Sequence, residues 1–293
     1  MTGAPDAQTK PIVVVIGGGT MGSGIVHSLV ARGATVFLAE RDQSSAGRAR
    51  ERVSSSLARL DPPLDPAVAA LHITVGLPSV GEMGRMPDLV FETVPEQLAL
   101  KQIVSATAEV AYPDVIIATN TSALSIDQIA KTLREPGRLV GMHFFNPVPA
   151  SRLIEIVVGA RTSVTSVAAA QEWSKFLGKE AIEVRDSPGL ATSRLGVAIG
   201  LEAIRMVEDN VASVADIDRG MTLGYKFPLG PLELTDRIGL DVRLAIAEHL
   251  NETLGARFRP PELLRQMVAQ GQLGRKNGRG FYRWTADGKK QAP

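Results

Sequence analysis

Three glycines, Gly17, Gly19 and Gly22, sit where an apolar, β-branched run gives way to a segment with helical periodicity, in IVVVIGGGTMGSG over residues 12–24. Their G-x-G-x-x-G spacing suits a dinucleotide. The first glycine allows a tight strand-to-helix turn, the second lets the backbone approach a pyrophosphate, and the third lets helix and strand pack closely. Thr20 and Met21 complete this turn, and the phosphates would rest on the positive end of the following helix. A second short apolar strand, residues 35–39, ends at Glu40, eighteen residues past Gly22. An acid there accepts hydrogen bonds from the ribose hydroxyls and repels a 2′-phosphate, which favours NAD over NADP. Arg41 beside it acts in the opposite sense. The plainer reading is a glycine-rich turn that binds nothing.

A second group of chemically able residues lies further on. Asn120-Thr121-Ser122 follows an apolar strand and so falls at the carboxyl edge of a sheet, where open α/β folds bind ligands. Ser122 or Ser125 could equally cap a helix beginning near Ile126. Another strand delivers Gly141-Met142-His143-Phe144-Phe145-Asn146-Pro147 to the same edge. His143 is one of four histidines in the chain, and in such an apolar run a packed core residue is the ordinary expectation. Glu155, twelve residues on and flanked by isoleucines, changes that. A buried carboxylate needs a partner, and His143 is the obvious one. The pair would hold the imidazole in one tautomer and stabilise its protonated form, as a general base requires. Otherwise Glu155 faces water from an edge strand.

The elements that must position these residues alternate strand and helix to about residue 185. Strands are expected at residues 88–92, 115–119, 138–145, 153–158 and 183–185, with a helix over 97–111, the pattern of a mainly parallel sheet covered on both faces. Residues 48–71, broken by Pro62-Pro63, read as a helical excursion. After Ser187-Pro188-Gly189 the strand pattern stops, and residues 190–210 and 240–254 carry helical spacing. The expected organisation is a flexible tail over 1–10, a Rossmann-type domain over 11–186 and an all-helical domain over 187–293. At 293 residues two domains are the natural count.

Composition narrows the function classes. With 32 basic and 31 acidic residues spread along the chain the net charge is +1, which sets up no field for nucleic acid or an anionic membrane. The expected partner is a small molecule. No cysteine is present, so disulfides, a zinc ribbon and a thiol nucleophile are excluded, and a reducing compartment fits. No apolar stretch reaches a membrane span and the first eleven residues lack a signal-peptide centre. A cytoplasmic protein without a metal site is expected.

Taken in order, GGGTMGSG, DLVFETVPE, ATNTSAL, GMHFFNPV, SPGLATSR, GPLELTDRIGLD and GRKNGRGFY closely resemble the 3-hydroxyacyl-CoA dehydrogenases, including the bacterial 3-hydroxybutyryl-CoA dehydrogenases. The likeness runs from Ile12 to Trp284. It implies NAD-dependent oxidation of an L-3-hydroxyacyl-CoA to the 3-ketoacyl-CoA, or the reverse, in fatty acid β-oxidation or a related route, and a helical domain that forms a homodimer. By this resemblance His143 is the base, Glu155 orients it, and Ser122 binds the reacting oxygen beside the nicotinamide. Glu40 takes the ribose, while Glu96, Lys101, Asn146 and Lys276 approach NAD, with Asn146 also facing substrate. Each has a plainer role: Glu96 a solvated helix-start acid, Lys101 a surface lysine, Lys276 one charge of an exposed turn. Two departures bear on substrate choice. Ser193 stands where well-known members carry a substrate-contacting asparagine. Residues 56–65 lack the lysine that some relatives set against CoA, which leaves Ser56 and Arg59 for that contact. Acyl-chain length and terminal group stay open, with 3-hydroxybutyryl-CoA and a carboxylated chain such as 3-hydroxyadipyl-CoA both allowed. Two alternative readings are a related Rossmann dehydrogenase of a free hydroxy acid or sugar acid, and a non-catalytic NAD-binding protein.

Overall fold

The computed structural model describes residues 10–60, 63 and 70–291. The tail expected over 1–10 falls outside them except for Lys10, as do Pro62 and most of residues 61–69. Two compact units divide the chain, Met1–Ser187 and Pro188–Pro293.

The first unit is built on eight strands: β1 (Ile12–Ile16), β2 (Thr35–Glu40), β3 (Leu71–Val75), β4 (Leu89–Glu92), β5 (Ile117–Thr119), β6 (Leu139–Phe144), β7 (Leu153–Val158) and β8 (Glu180–Arg185). They lie in the order β3-β2-β1-β4-β5-β6-β7-β8. Pairing is parallel except between β6 and β7. β1 and β4 are buried along their whole length, which explains their unbroken apolar sequence: a parallel sheet covered on both faces has no polar side to show. The covering helices are α1 (Thr20–Ala31), α2 (Gln43–Leu57), α3 (Val80–Met83), α4 (Leu98–Ala111), α5 (Ile126–Ile129) and α6 (Val164–Phe176). Trp173 of α6 and Ile25 and Leu29 of α1 join Val13, Val15 and Phe91 of the strands in one core.

Several boundaries differ from the sequence expectation. The stretch 48–71 is not one helical excursion: α2 starts earlier, at Gln43 behind an Asp42 cap, and Leu71 already begins β3. That strand was not anticipated because it forms the outer edge of the sheet, where its half-exposed residues carry no long apolar run. β8 begins three residues before the expected 183. β5 is shorter than 115–119, because Val115 and Ile116 precede the ladder.

The second unit is helical: α7 (Thr192–Glu208), α8 (Val214–Arg219), α9 (Pro231–Ile238), α10 (Leu240–Leu254) and α11 (Glu262–Ala269). Val197, Leu201 and Ile204 of α7 pack with Leu232, Leu240, Leu250 and Leu264. Much of the apolar surface on α7 and α10 is therefore covered within this unit.

Candidate active site

The glycine turn shows the three roles that its spacing requires. Gly17 has a φ of +96°, which strains any residue with a Cβ. A Cβ on Gly19 would meet nothing within 4 Å, so the backbone is open to close approach there. On Gly22 it would lie 1.9 Å from the Gly17 carbonyl oxygen and 2.5 Å from Thr93 Oγ1, so α1 sits against the turn only because that atom is absent. Gly19 is the N-cap of α1 and brings no capping side chain, which leaves the first amides of the helix for an anion. Thr20 is exposed on this turn, while Met21 packs against the core.

Glu40 ends β2 beside the same turn, its Oε1 accepting the Gly18 N–H at 2.6 Å. The second carboxylate oxygen remains for a ribose. Arg41, which would have favoured a 2′-phosphate, donates from Nε to Asp42 at 2.9 Å.

Strand register explains the second group. β6 and β7 run antiparallel with His143 directly opposite Glu155, and cross-strand partners project on the same face. Nδ1 of His143 lies 2.7 Å from Oε2 of Glu155. The glutamate is 0% exposed and the histidine 7%, so neither plainer reading survives: Glu155 does not face water, and His143 is not packed among apolar groups alone. The bond uses Nδ1, leaving Nε2 as the ring nitrogen able to exchange a proton. Phe145 flanks the ring, with centroids 4.6 Å apart.

Ser122 reaches this edge through Asn120. The Asn120 side-chain oxygen accepts the Phe144 N–H at 3.0 Å, tying the loop after β5 to the end of β6, next to His143. The helix-cap role falls to Ser125, whose side chain accepts from Gln128 N. Ser122 is thus exposed and not spent on capping. Glu96 holds the loop from the other side, its Oε1 accepting the backbone N–H groups of Ser122 and Ala123 at 3.0 and 3.1 Å.

Lys101 differs from both of its expected roles. It is neither a surface lysine nor directed outward to a cofactor: its side chain is 0% exposed. Nζ donates to both oxygens of Glu92 and to the Asn120 carbonyl at 2.9–3.0 Å. An ammonium has three donors, and all three are used. Burial pushes the Glu92 carboxyl above the usual carboxylate range, opposed by Lys101 and by hydrogen bonds from Thr119 and Val94. Lys101 acts on the site by fixing Asn120.

A groove of about 420 Å³ joins further residues of the first unit. Thr20 of the glycine turn, Asn146 after β6, and Ser56 and Arg59 from α2 and its end all line it. So do Arg52 and Ser23, and Pro147 to Pro149 form one wall. Sequence reading did not pick out Arg52, whose guanidinium donates to the Gly18 carbonyl at 3.1 Å. His27 was passed over too. Its Nδ1 lies 2.8 Å from Ser56 Oγ, and burial, then Arg59 and Lys179, hold the imidazole below its ordinary range. Their signal was weak because both look like ordinary helix residues until α1 and α2 are packed.

In the second unit Ser193 is the second residue of α7. It is not the helix cap, a position held by Ala191. Lys276 pairs with Asp241, in the exposed turn that the plainer reading described. Among the described residues no cluster of three or more metal-ligating side chains occurs, and no helix is long and apolar enough to cross a membrane.

A Rossmann-type unit carrying a dinucleotide turn, with a paired His and Glu at its sheet edge and a helical unit after it, defines a class of nicotinamide-dependent dehydrogenase. The family profile described as "3-hydroxyacyl-CoA dehydrogenase, NAD binding domain" matches residues 12–187, and its C-terminal domain matches 189–284. The chain belongs to the 3-hydroxyacyl-CoA dehydrogenase family. It is 38% identical over 284 residues to a 3-hydroxybutyryl-CoA dehydrogenase of Mycobacterium tuberculosis, covering 92% of this chain and 97% of that one. With a probable 3-hydroxybutyryl-CoA dehydrogenase of Bacillus subtilis it shares 36% identity, over 92% of this chain and 96% of the relative. Among solved structures it is similar to the (S)-3-hydroxybutyryl-CoA dehydrogenase of Ralstonia eutropha, with a TM-score of 0.86 and 36% identity, over 94% and 100% of the two chains.

Proposed function

We propose that this protein interconverts an L-3-hydroxyacyl-CoA and its 3-ketoacyl-CoA with NAD. When bound, NAD accepts the hydride that leaves C3. His143 Nε2 takes the 3-hydroxyl proton as the C3–H bond breaks and the carbonyl forms. Glu155 is the positioning residue: it fixes the tautomer and offsets the charge that the ring gains. Ser122 donates to the reacting oxygen, and Glu96 and Lys101 hold the loop that carries it. Glu40 and the turn from Gly17 to Gly22 bind the dinucleotide, with Asn146 and Lys276 as further contacts. Ser56 and Arg59 receive the CoA portion and Ser193 the acyl end.

The observation that carries this reading is the buried His143–Glu155 pair, set opposite one another by strand register at the ligand-binding edge. The test is NADH oxidation by His143→Asn with acetoacetyl-CoA. We expect kcat to fall by about 10²- to 10⁴-fold, the usual worth of a positioned acid–base group. Unchanged turnover would remove His143 from the chemistry.

The reading extends to a cytoplasmic homodimer serving fatty acid β-oxidation. A cysteine-free sequence suits a reducing compartment. Leu195, Leu223 and Tyr225 stand more than 60% exposed in the second unit, which supports a self-contact there. The named activities of the relatives support the acyl-CoA assignment.

A further inference from the structure

The groove of the first unit is walled by two helices that bring residues of the same spacing to it. On α1, Thr20, Ser23 and Gly24 line it, and His27 is the next position of that i, i+3, i+4, i+7 stripe. On α2, Arg52, Ser55 and Ser56 line it, with Arg59 at i+7, just past the helix end. His27 closes one stripe and meets the other, because its Nδ1 lies 2.8 Å from Ser56 Oγ. The histidine is 6% exposed, while Ser56 is half-buried and reaches the groove. His27 therefore stands behind a hydroxyl and not in the opening itself.

Charge around the ring is one-sided. Burial, then Arg59 at the end of α2 and Lys179 in the turn before β8, favour the neutral imidazole. Lys179 is fixed there by the carbonyls of Val148 and Ser151, at 2.7 and 2.5 Å, with Arg32 acting on it in turn. Arg52 adds a further cation to the groove lining and Glu51 an acid. Hydroxyls beside guanidinium groups are the donor set for a phosphate.

Protonation changes what Ser56 can offer. A neutral imidazole can accept the Ser56 O–H through Nδ1, which keeps that hydrogen inside the protein. A protonated ring has donors on both nitrogens. Nδ1 then donates to Ser56 Oγ, and the hydroxyl hydrogen is left to point into the groove. A phosphate there favours this second state through the freed donor and through the charge on the ring. It also offsets Arg59, one of the cations that hold the ring neutral. A ligand that binds the protonated form better raises the midpoint of the histidine, and by reciprocity it binds more tightly as pH falls.

We propose that His27 is a positioning residue for the CoA portion of the substrate, turning the Ser56 hydroxyl toward a CoA phosphate and strengthening that contact in mild acid. This rests on the acyl-CoA reading above, in which Ser56 and Arg59 receive the CoA portion.

The first measurement uses the unsubstituted protein. With four histidines in the chain, their ring C–H resonances are followed from about pH 8 to about pH 5, with and without CoA. The His27 resonance, identified by its loss in His27→Gln, should titrate about half to one pH unit higher with CoA bound. Pantetheine, which lacks the phosphates, should not move it. The second measurement is the ratio of kcat/KM for acetoacetyl-CoA to that for acetoacetyl-pantetheine, both reduced with NADH. Titration of His143 acts on both thioesters and cancels. Between about pH 8 and about pH 5.5 this ratio should rise about three- to tenfold more in the unsubstituted protein than in His27→Gln. Titration of the ligand's own phosphate is common to the two proteins. A histidine that only packs α1 on α2 would change stability, or both thioesters together, and leave the pH profile of the ratio where it was. Four midpoints all unmoved by CoA overturn the proposal without any variant, and so do equal ratio profiles in the two proteins. A protein that neither binds CoA nor reduces acetoacetyl-CoA fails differently, since it loses the acyl-CoA reading and this proposal with it.

Discussion

Glu40 holds the Gly18 amide with one carboxylate oxygen, and in the function proposed above its other oxygen meets the cofactor ribose. By that proposal, charge at this position sets which nicotinamide cofactor enters, since a carboxylate and a phosphate about 4 Å apart repel strongly even at a partly screened surface. We expect Glu40→Ser to raise the ratio of catalytic efficiencies with NADP and NAD by about tenfold or more. Arg41 would help only by leaving Asp42. An unchanged ratio would mean that other residues line the ribose pocket. At this scale His143 and Glu155 were readable from sequence because a glutamate between isoleucines demands a partner. Arg52 was not, since its bond to the Gly18 carbonyl exists only once α2 packs beside the glycine turn.

The loop after β5 is an element built around one ammonium. Lys101 reaches from α4 to Glu92 at the end of β4 and to the Asn120 carbonyl, so one helix holds two strand ends in place. Lys101→Met removes the partner of a buried carboxylate and should cost about 3–5 kcal/mol of stability, read from urea unfolding at neutral pH. A loss below about 1 kcal/mol would show that Glu92 finds another way to neutralise. The glutamate has one available, because burial already favours its protonated form. Elements buried on both faces, such as β1, were legible as apolar runs. β3 and β8 were missed or shortened because edge strands share their residues with water and lose that signature. Lys101 itself read as a surface charge, and only the helix packing onto β4 shows it otherwise.

Across the whole molecule, the two-part division follows from where β-branched runs stop, at Ser187-Pro188-Gly189, and the first compact unit ends at Ser187. Assembly is harder to read. The apolar faces of α7 and α10 are largely internal, since Val197, Leu201, Ile204 and Leu250 cover one another within the unit. What remains for a partner includes the exposed Leu195, Val211, Leu223, Tyr225, Ile238 and Val242. Light scattering at micromolar concentration should give about twice the 31.2 kDa chain mass. A single-chain mass would reject the dimer.

With His143 as the base proposed above, its pairing with Glu155 also makes catalysis a witness to folding history. Side chains alternate across a strand, so a β6–β7 ladder slipped by one residue would turn Glu155 to the opposite face from His143. The glycine turn lies on β1 and α1, several strands away, and such a slip would leave it intact. A refolded sample trapped in the wrong register would still bind dinucleotide while turning over nothing. For this protein the quotient of turnover to cofactor binding therefore counts the fraction of chains whose antiparallel ladder closed correctly, a quantity that secondary-structure spectroscopy does not resolve.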